Sequence, residues 1–76
     1  MAEIMMKFKL VRNNECFEAK LDDRLSFVDN LKMLEVLSKK DIKNCYVYDP
    51  NKKIFLDVNI PLNNFEISSF VIFNLF

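Results

Sequence analysis

From Met6 to Arg12 apolar and basic side chains alternate, with Met6, Phe8 and Leu10 on one side and Lys7 and Lys9 on the other. A period of two is that of a strand with one buried face, so this stretch predicts a first strand. Asn13-Asn14 comes next, and Asn accepts positive φ better than any residue but Gly. In a chain with no Gly, the pair predicts a two-residue hairpin turn. Glu15 to Leu21 then returns as the second strand, with Phe17, Ala19 and Leu21 facing in and Cys16, Glu18 and Lys20 facing out. This register sets Cys16 outside, against the ordinary preference of a cysteine in an apolar stretch for burial.

Asp22-Asp23-Arg24 breaks the pattern, after which Ser26 can cap a helix that starts at Phe27, with Asp29 at its positive pole. At about 100° per residue Phe27, Leu31, Leu34 and Leu37 share one stripe, with Met33 at its margin. Lys39, Lys40 and Lys43 suit the negative pole near the end. Asn30 falls inside the stripe and reads as a hydrogen-bonded amide at the core edge, since a single Asn without polar companions makes no site. Cys45 to Tyr48 predicts a third strand, Asp49-Pro50-Asn51 a turn, and Lys53 to Leu56 a short fourth strand. Pro61 confines its neighbourhood to a loop or a sheet edge. Val71 to Phe76 is nearly continuous in apolar β-formers, the pattern of a strand in mid-sheet.

One helix can cover only one face of such a sheet. The order therefore predicts a single α+β domain over residues 1–76, in two layers, with the last strand parallel to the first. A chain of 76 residues buries only about 60% of the surface its unfolded form exposes. An apolar share of 51% with eight Phe is enough to offset chain entropy without disulfides or metal.

Charge and chemistry remove function classes. Eleven basic residues balance eleven acidic ones and are scattered among them, which leaves no nucleic-acid footprint. Lys39-Lys40 with Lys43, and Lys52-Lys53, read as a helix end and a turn, an acidic docking partner being the alternative. The absence of His and Gly removes an imidazole base, a phosphate loop and a dinucleotide fingerprint. Cys16 and Cys45 have no metal-ligand spacing, and Asp22-Asp23 reads as a surface turn. The expectation is a protein that is not an enzyme and uses no cofactor. Its start has neither the basic nor the apolar region of a signal peptide, and its apolar end is too short to span a bilayer. A cytoplasmic protein without membrane insertion is expected.

The informative feature is the apolar surface that one helix leaves uncovered. On the opposite face the register places Val11, Tyr46, Tyr48, Ile72, Asn74 and Phe76, with Phe70 at the rim. Of these, Val11, Tyr46, Tyr48, Phe70, Ile72 and Phe76 are the candidate partner-binding residues, because tyrosines are apolar in body and wet at the tip and an apolar patch marks an interface. The opposite register, with Tyr46 and Tyr48 inward and Cys45 and Val47 outward, stays open.

The local text resembles ubiquitin and its bacterial relatives along nearly the whole chain. Met6-Lys7-Phe8-Lys9-Leu10 resembles their opening strand and Leu25-Ser26-Phe27 with Leu31 their capped helix start. Leu62-Asn63-Asn64-Phe65-Glu66-Ile67 resembles the segment before the last strand, and Phe73-Asn74-Leu75-Phe76 its ending. The resemblance implies a ubiquitin-like β-grasp fold with sheet order 2-1-5-3-4. Cys16 and Cys45 would then stand about 14 Å apart, too far for a disulfide. A chain stopping after the last strand is most similar to the YukD/EsaB group that accompanies bacterial type VII secretion systems. That implies a non-catalytic accessory protein docking another protein through its sheet face, such as a cytosolic domain of a secretion-system membrane component. Two departures stand out. Ser68-Ser69-Phe70-Val71 replaces a turn that is Gly-containing and acidic in most relatives, which leaves Phe70 open to solvent. The Gly-Gly tail of conjugated modifiers and sulfur carriers is absent from a chain ending at Phe76. An orphan modifier or sulfur-carrier-like protein without its tail, and a structural homo-oligomer, are the alternatives.

Overall fold

The computed structural model describes residues 3–34 and 46–76. Along the chain run β1 (Glu3–Leu10), β2 (Glu15–Asp22), α1 (Phe27–Met33), β3 (Val47–Asp49), β4 (Ile54–Leu56), a 3-10 turn (Leu62–Asn64) and β5 (Ile72–Leu75). Among the described residues these strands form one five-stranded sheet in the order β2-β1-β5-β3-β4. β1 pairs with β2 antiparallel and with β5 parallel, and β3 pairs antiparallel with both β4 and β5. The fold is of the α+β class, and its order is that of the ubiquitin-like β-grasp arrangement.

The alternation in β1 and β2 decides which side chains meet the helix. Met6, Phe8 and Leu10 are buried, as are Ala19 and Leu21 across the ladder, while Cys16 is exposed. Strand periodicity thus outweighs the cysteine's own preference for burial, because shifting one residue would expose the whole apolar set. Phe8 is the centre of the core. Its ring lies 5.4 Å from that of Phe17, 5.6 Å from Phe27 and 6.4 Å from Phe73, in tilted and edge-on contacts that suit aromatic quadrupoles.

The first hairpin differs from the two-residue turn expected of Asn13-Asn14. Leu10 and Glu15 are the last paired residues, so four residues, Val11 to Asn14, close the turn. A two-residue turn of this hand needs positive φ at both central positions, and only Asn14 adopts it, at 58°. Asn13 acts through its side chain instead, its Oδ1 accepting the Glu15 N–H at 3.1 Å. β1, Glu3–Leu10, consequently ends two residues earlier than the pattern suggests, which moves Val11 from strand to turn.

Ser26 caps α1 with extended backbone, its Oγ accepting the Asp29 N–H at 3.1 Å. Phe27 is buried, and Leu31 and Leu34 pack against the core. The helix has seven residues, and Leu34 already has extended dihedrals. Leu37, expected in the stripe, lies outside the described residues with Lys39, Lys40, Lys43 and Cys45. A helix this short holds its place through its first turn. Val28 N–H donates to the Val58 carbonyl, Leu62 N–H to Leu25 and Asn63 N–H to Asp23, at 3.1, 3.0 and 2.9 Å. These bonds tie the segment after β4, with its buried Leu62, to the start of α1.

β5 lies between β1 and β3, with Phe73 and Leu75 buried beneath the helix layer. Its inward side chains, Phe73 and Leu75, are apolar because they fill the core, while Ile72 and Asn74 lie on the outer face. Asp49, expected in a turn, is instead the buried last residue of β3. Its Oδ1 accepts the N–H groups of Asn51 and Lys52 at 2.9 and 3.2 Å, so it builds the turn from inside the strand.

Candidate functional site

The face opposite α1 is assembled from the alternate residues of every strand. Pairing registers align Lys9 with Cys16 on one side and Asn74 on the other, Asn74 with Tyr48, and Tyr48 with Phe55. One row of side chains, Cys16–Lys9–Asn74–Tyr48–Phe55, therefore crosses all five strands. A second row runs Glu18–Lys7–Ile72. The face is polar over β2 and β1 and aromatic over β3 and β4.

Phe55 organises the aromatic half. Its ring lies 4.9 Å from that of Tyr48, 6.0 Å from Phe76 and 6.3 Å from Tyr46, in edge-on or tilted geometry. Tyr46, Phe55 and Phe76 line a shallow apolar concavity, and their side chains are 64%, 59% and 55% exposed. The backbone beneath is held firmly. Tyr46 and Phe76 exchange two hydrogen bonds, 3.2 and 3.0 Å long, that extend the β3–β5 ladder by one pair. Three large rings, two of them packed on Phe55 between them and all more than half exposed, form an apolar patch.

Of the residues singled out in the sequence, the structure brings Tyr46, Tyr48 and Phe76 together. Tyr46 and Tyr48 face away from the helix because Val47, between them, is buried in the core. Ile72 stands lower on the same face. Phe70 is 89% exposed and borders a separate depression with Pro50, Asn51, Val71 and Ile72. Its loop is closed by Ser68, whose Oγ accepts the Phe70 N–H and whose carbonyl accepts the Val71 N–H. Val11 sits at the exposed hairpin turn, its N–H bonded to the Leu75 carbonyl. Phe55 is the member of the cluster that sequence reasoning misses, although its signal is present: in a strand as short as Lys53 to Leu56, an inward Leu56 forces Phe55 outward.

The remaining candidate chemistry is occupied by structure. The Asp22 carboxylate receives Arg24 through Nε at 3.0 Å, a terminal nitrogen at 2.7 Å and the backbone N–H at 2.9 Å. The Arg24 guanidinium and backbone N–H hold that carboxyl down at about 2. Among the described residues no group of three or more His, Cys, Asp or Glu is placed to hold a metal ion, and no helix is long and apolar enough to cross a membrane. The sequence matches no family model and no curated protein.

Proposed function

We propose that the protein is a non-catalytic binding module that docks another protein through the sheet face opposite α1. The observation that supports this reading is the Phe55-centred cluster. It leaves the rings of Tyr46, Tyr48 and Phe76 packed around that of Phe55 on the sheet, with no helix of the described residues over them. Aromatic side chains on a fixed backbone lose little entropy when covered, which is why they carry most of the affinity at interfaces.

The resemblance of the strand, helix and terminal segments to the YukD/EsaB group sets the biological direction. We read the protein as a cytoplasmic ubiquitin-like accessory of a bacterial type VII secretion system, its partner a cytosolic domain of a membrane component of that system. The test is co-purification of the tagged protein with its partner from cells. Alanine at Tyr46, Tyr48, Phe55 and Ile72 is expected to abolish recovery while the far-ultraviolet circular dichroism stays unchanged. Recovery that survives all four changes overturns the face assignment. Light scattering that shows concentration-dependent dimers, lost in the same variant, gives the face to a second copy instead.

A further inference from the structure

The polar half of the outer face has its own asymmetry. Lys7 and Lys9 are half-buried on the central strand β1, so their aliphatic stems lie along the sheet and only their ammonium groups are free to reach a partner. Lys7 has an acid opposite it, Glu18. Lys9 has Cys16 opposite on β2 and Asn74 opposite on β5, both neutral. Among the described residues neither lysine enters an ion pair. A cation therefore stands at the border of the apolar patch with no acid directly opposite it on either neighbouring strand, Glu18 lying diagonally across the ladder. The row from Lys9 through Asn74 and Tyr48 to Phe55 takes three steps between strands, about 14 Å in all at the usual strand spacing.

Building on the docking role of this face, we infer that its occupant is an amphipathic protein segment carrying an apolar anchor and a carboxylate. The anchor fills the concavity of Tyr46, Phe55 and Phe76, and the carboxylate meets Lys9. Asn74, midway, can both donate to and accept from the backbone or a polar side chain between them. The spacing sets the sequence of the segment. At 1.5 Å per residue this distance is about nine residues of helix, and the same-face positions that bracket it place anchor and acid about seven or eleven residues apart. An extended segment places them about four apart, which also keeps both side chains on one face. An anionic membrane is a poorer match, since such surfaces are read by clusters of about four to eight basic residues and here β1 and β2 present three, Lys7, Lys9 and Lys20, with Glu18 opposite Lys7.

Random peptides displayed on phage and selected on the full chain test this directly. Enriched peptides are expected to share an apolar residue with Asp or Glu at one of these spacings. K9E is expected to weaken a selected synthetic peptide about tenfold or more, with Lys in place of the peptide's acid restoring affinity to K9E. F55A is expected to abolish binding to both. Enriched peptides that are neutral or basic, or affinity unchanged in K9E while F55A still abolishes it, overturn the acidic partner and leave the sheet face standing. Binding indifferent to F55A overturns both. No enrichment, binding to phosphatidylserine vesicles in preference to peptide, or a dimer in sedimentation that F55A dissolves likewise overturns the acidic segment as occupant.

Discussion

The side-chain amide of Asn30 grips both backbone groups of Asp22: its Oδ1 accepts the Asp22 N–H at 2.8 Å and its Nδ2 donates to the Asp22 carbonyl at 3.0 Å. The same Nδ2 donates to the Ser26 carbonyl at 2.9 Å. Asn30 thereby replaces a missing strand partner at the end of β2 and fastens the first turn of α1 to it, a reason for a polar residue in the apolar stripe. It is buried with every hydrogen-bonding group satisfied.

Asn30→Ala should destabilise the protein by about 2–3 kcal/mol, since it strands buried backbone groups rather than removing both partners. Asn30→Asp should be worse at neutral pH, because a carboxylate oxygen would then face two carbonyls. Burial and those carbonyls raise the folded-state pKa of such an Asp, so the folded state binds the extra proton and this deficit should shrink as pH falls. Urea titrations of both variants across pH check the magnitude and the sign.

The Asp22 carboxyl, held at about 2 against an ordinary 3.8, ties stability to acid. A depressed folded-state value stabilises the fold above the ordinary pKa and loses that contribution as pH falls from about 4 towards 2. Asp22→Asn should flatten the stability curve in this window while keeping the backbone bonds to Asn30. A slope equal to that of the parent protein would show that the Arg24 pair contributes nothing measurable, as exposed ion pairs often do.

Lys53 adopts φ of 58° in the turn between β3 and β4, a conformation that costs a residue with a Cβ more than it costs glycine. Lys53→Gly should therefore raise stability by about 0.5–1 kcal/mol even though glycine loosens the unfolded chain. A thermal melt showing a lower midpoint would refute this.

Two phenylalanines on opposite faces should behave oppositely. Phe8→Ala, in the fully buried aromatic core, should cost about 3–5 kcal/mol, most of what a domain of this size has. Phe55→Ala, with its ring 59% exposed, should change folding stability by less than about 1 kcal/mol. Chemical denaturation of the pair separates packing from binding surface. If Phe55→Ala unfolds the protein, the cluster is structural.

Periodicity by itself determined the strands that flank the core and the face each side chain takes. Met6, Phe8 and Leu10 alternate too strictly with lysines to lie otherwise, and the same logic placed Cys16 outside, while capping chemistry placed Ser26 at the helix start. The sequence also implied a mid-sheet place for the apolar run Val71 to Phe76, which β5 takes between β1 and β3, although Ile72 and Phe76 stay exposed on the outer face. What tertiary structure alone decided was the joining of elements distant in the chain. Phe55 and Phe76 meet because β3 pairs with both β4 and β5, an arrangement no local pattern encodes. The partners of Asn30 arise from the docking of α1 against the end of β2. The four-residue hairpin results from backbone dihedrals that Asn13 and Asn14 were free to divide differently. Local patterns record which face a residue prefers, because burial acts on each residue singly; neighbours across a sheet are set by strand pairing, which acts on the chain as a whole.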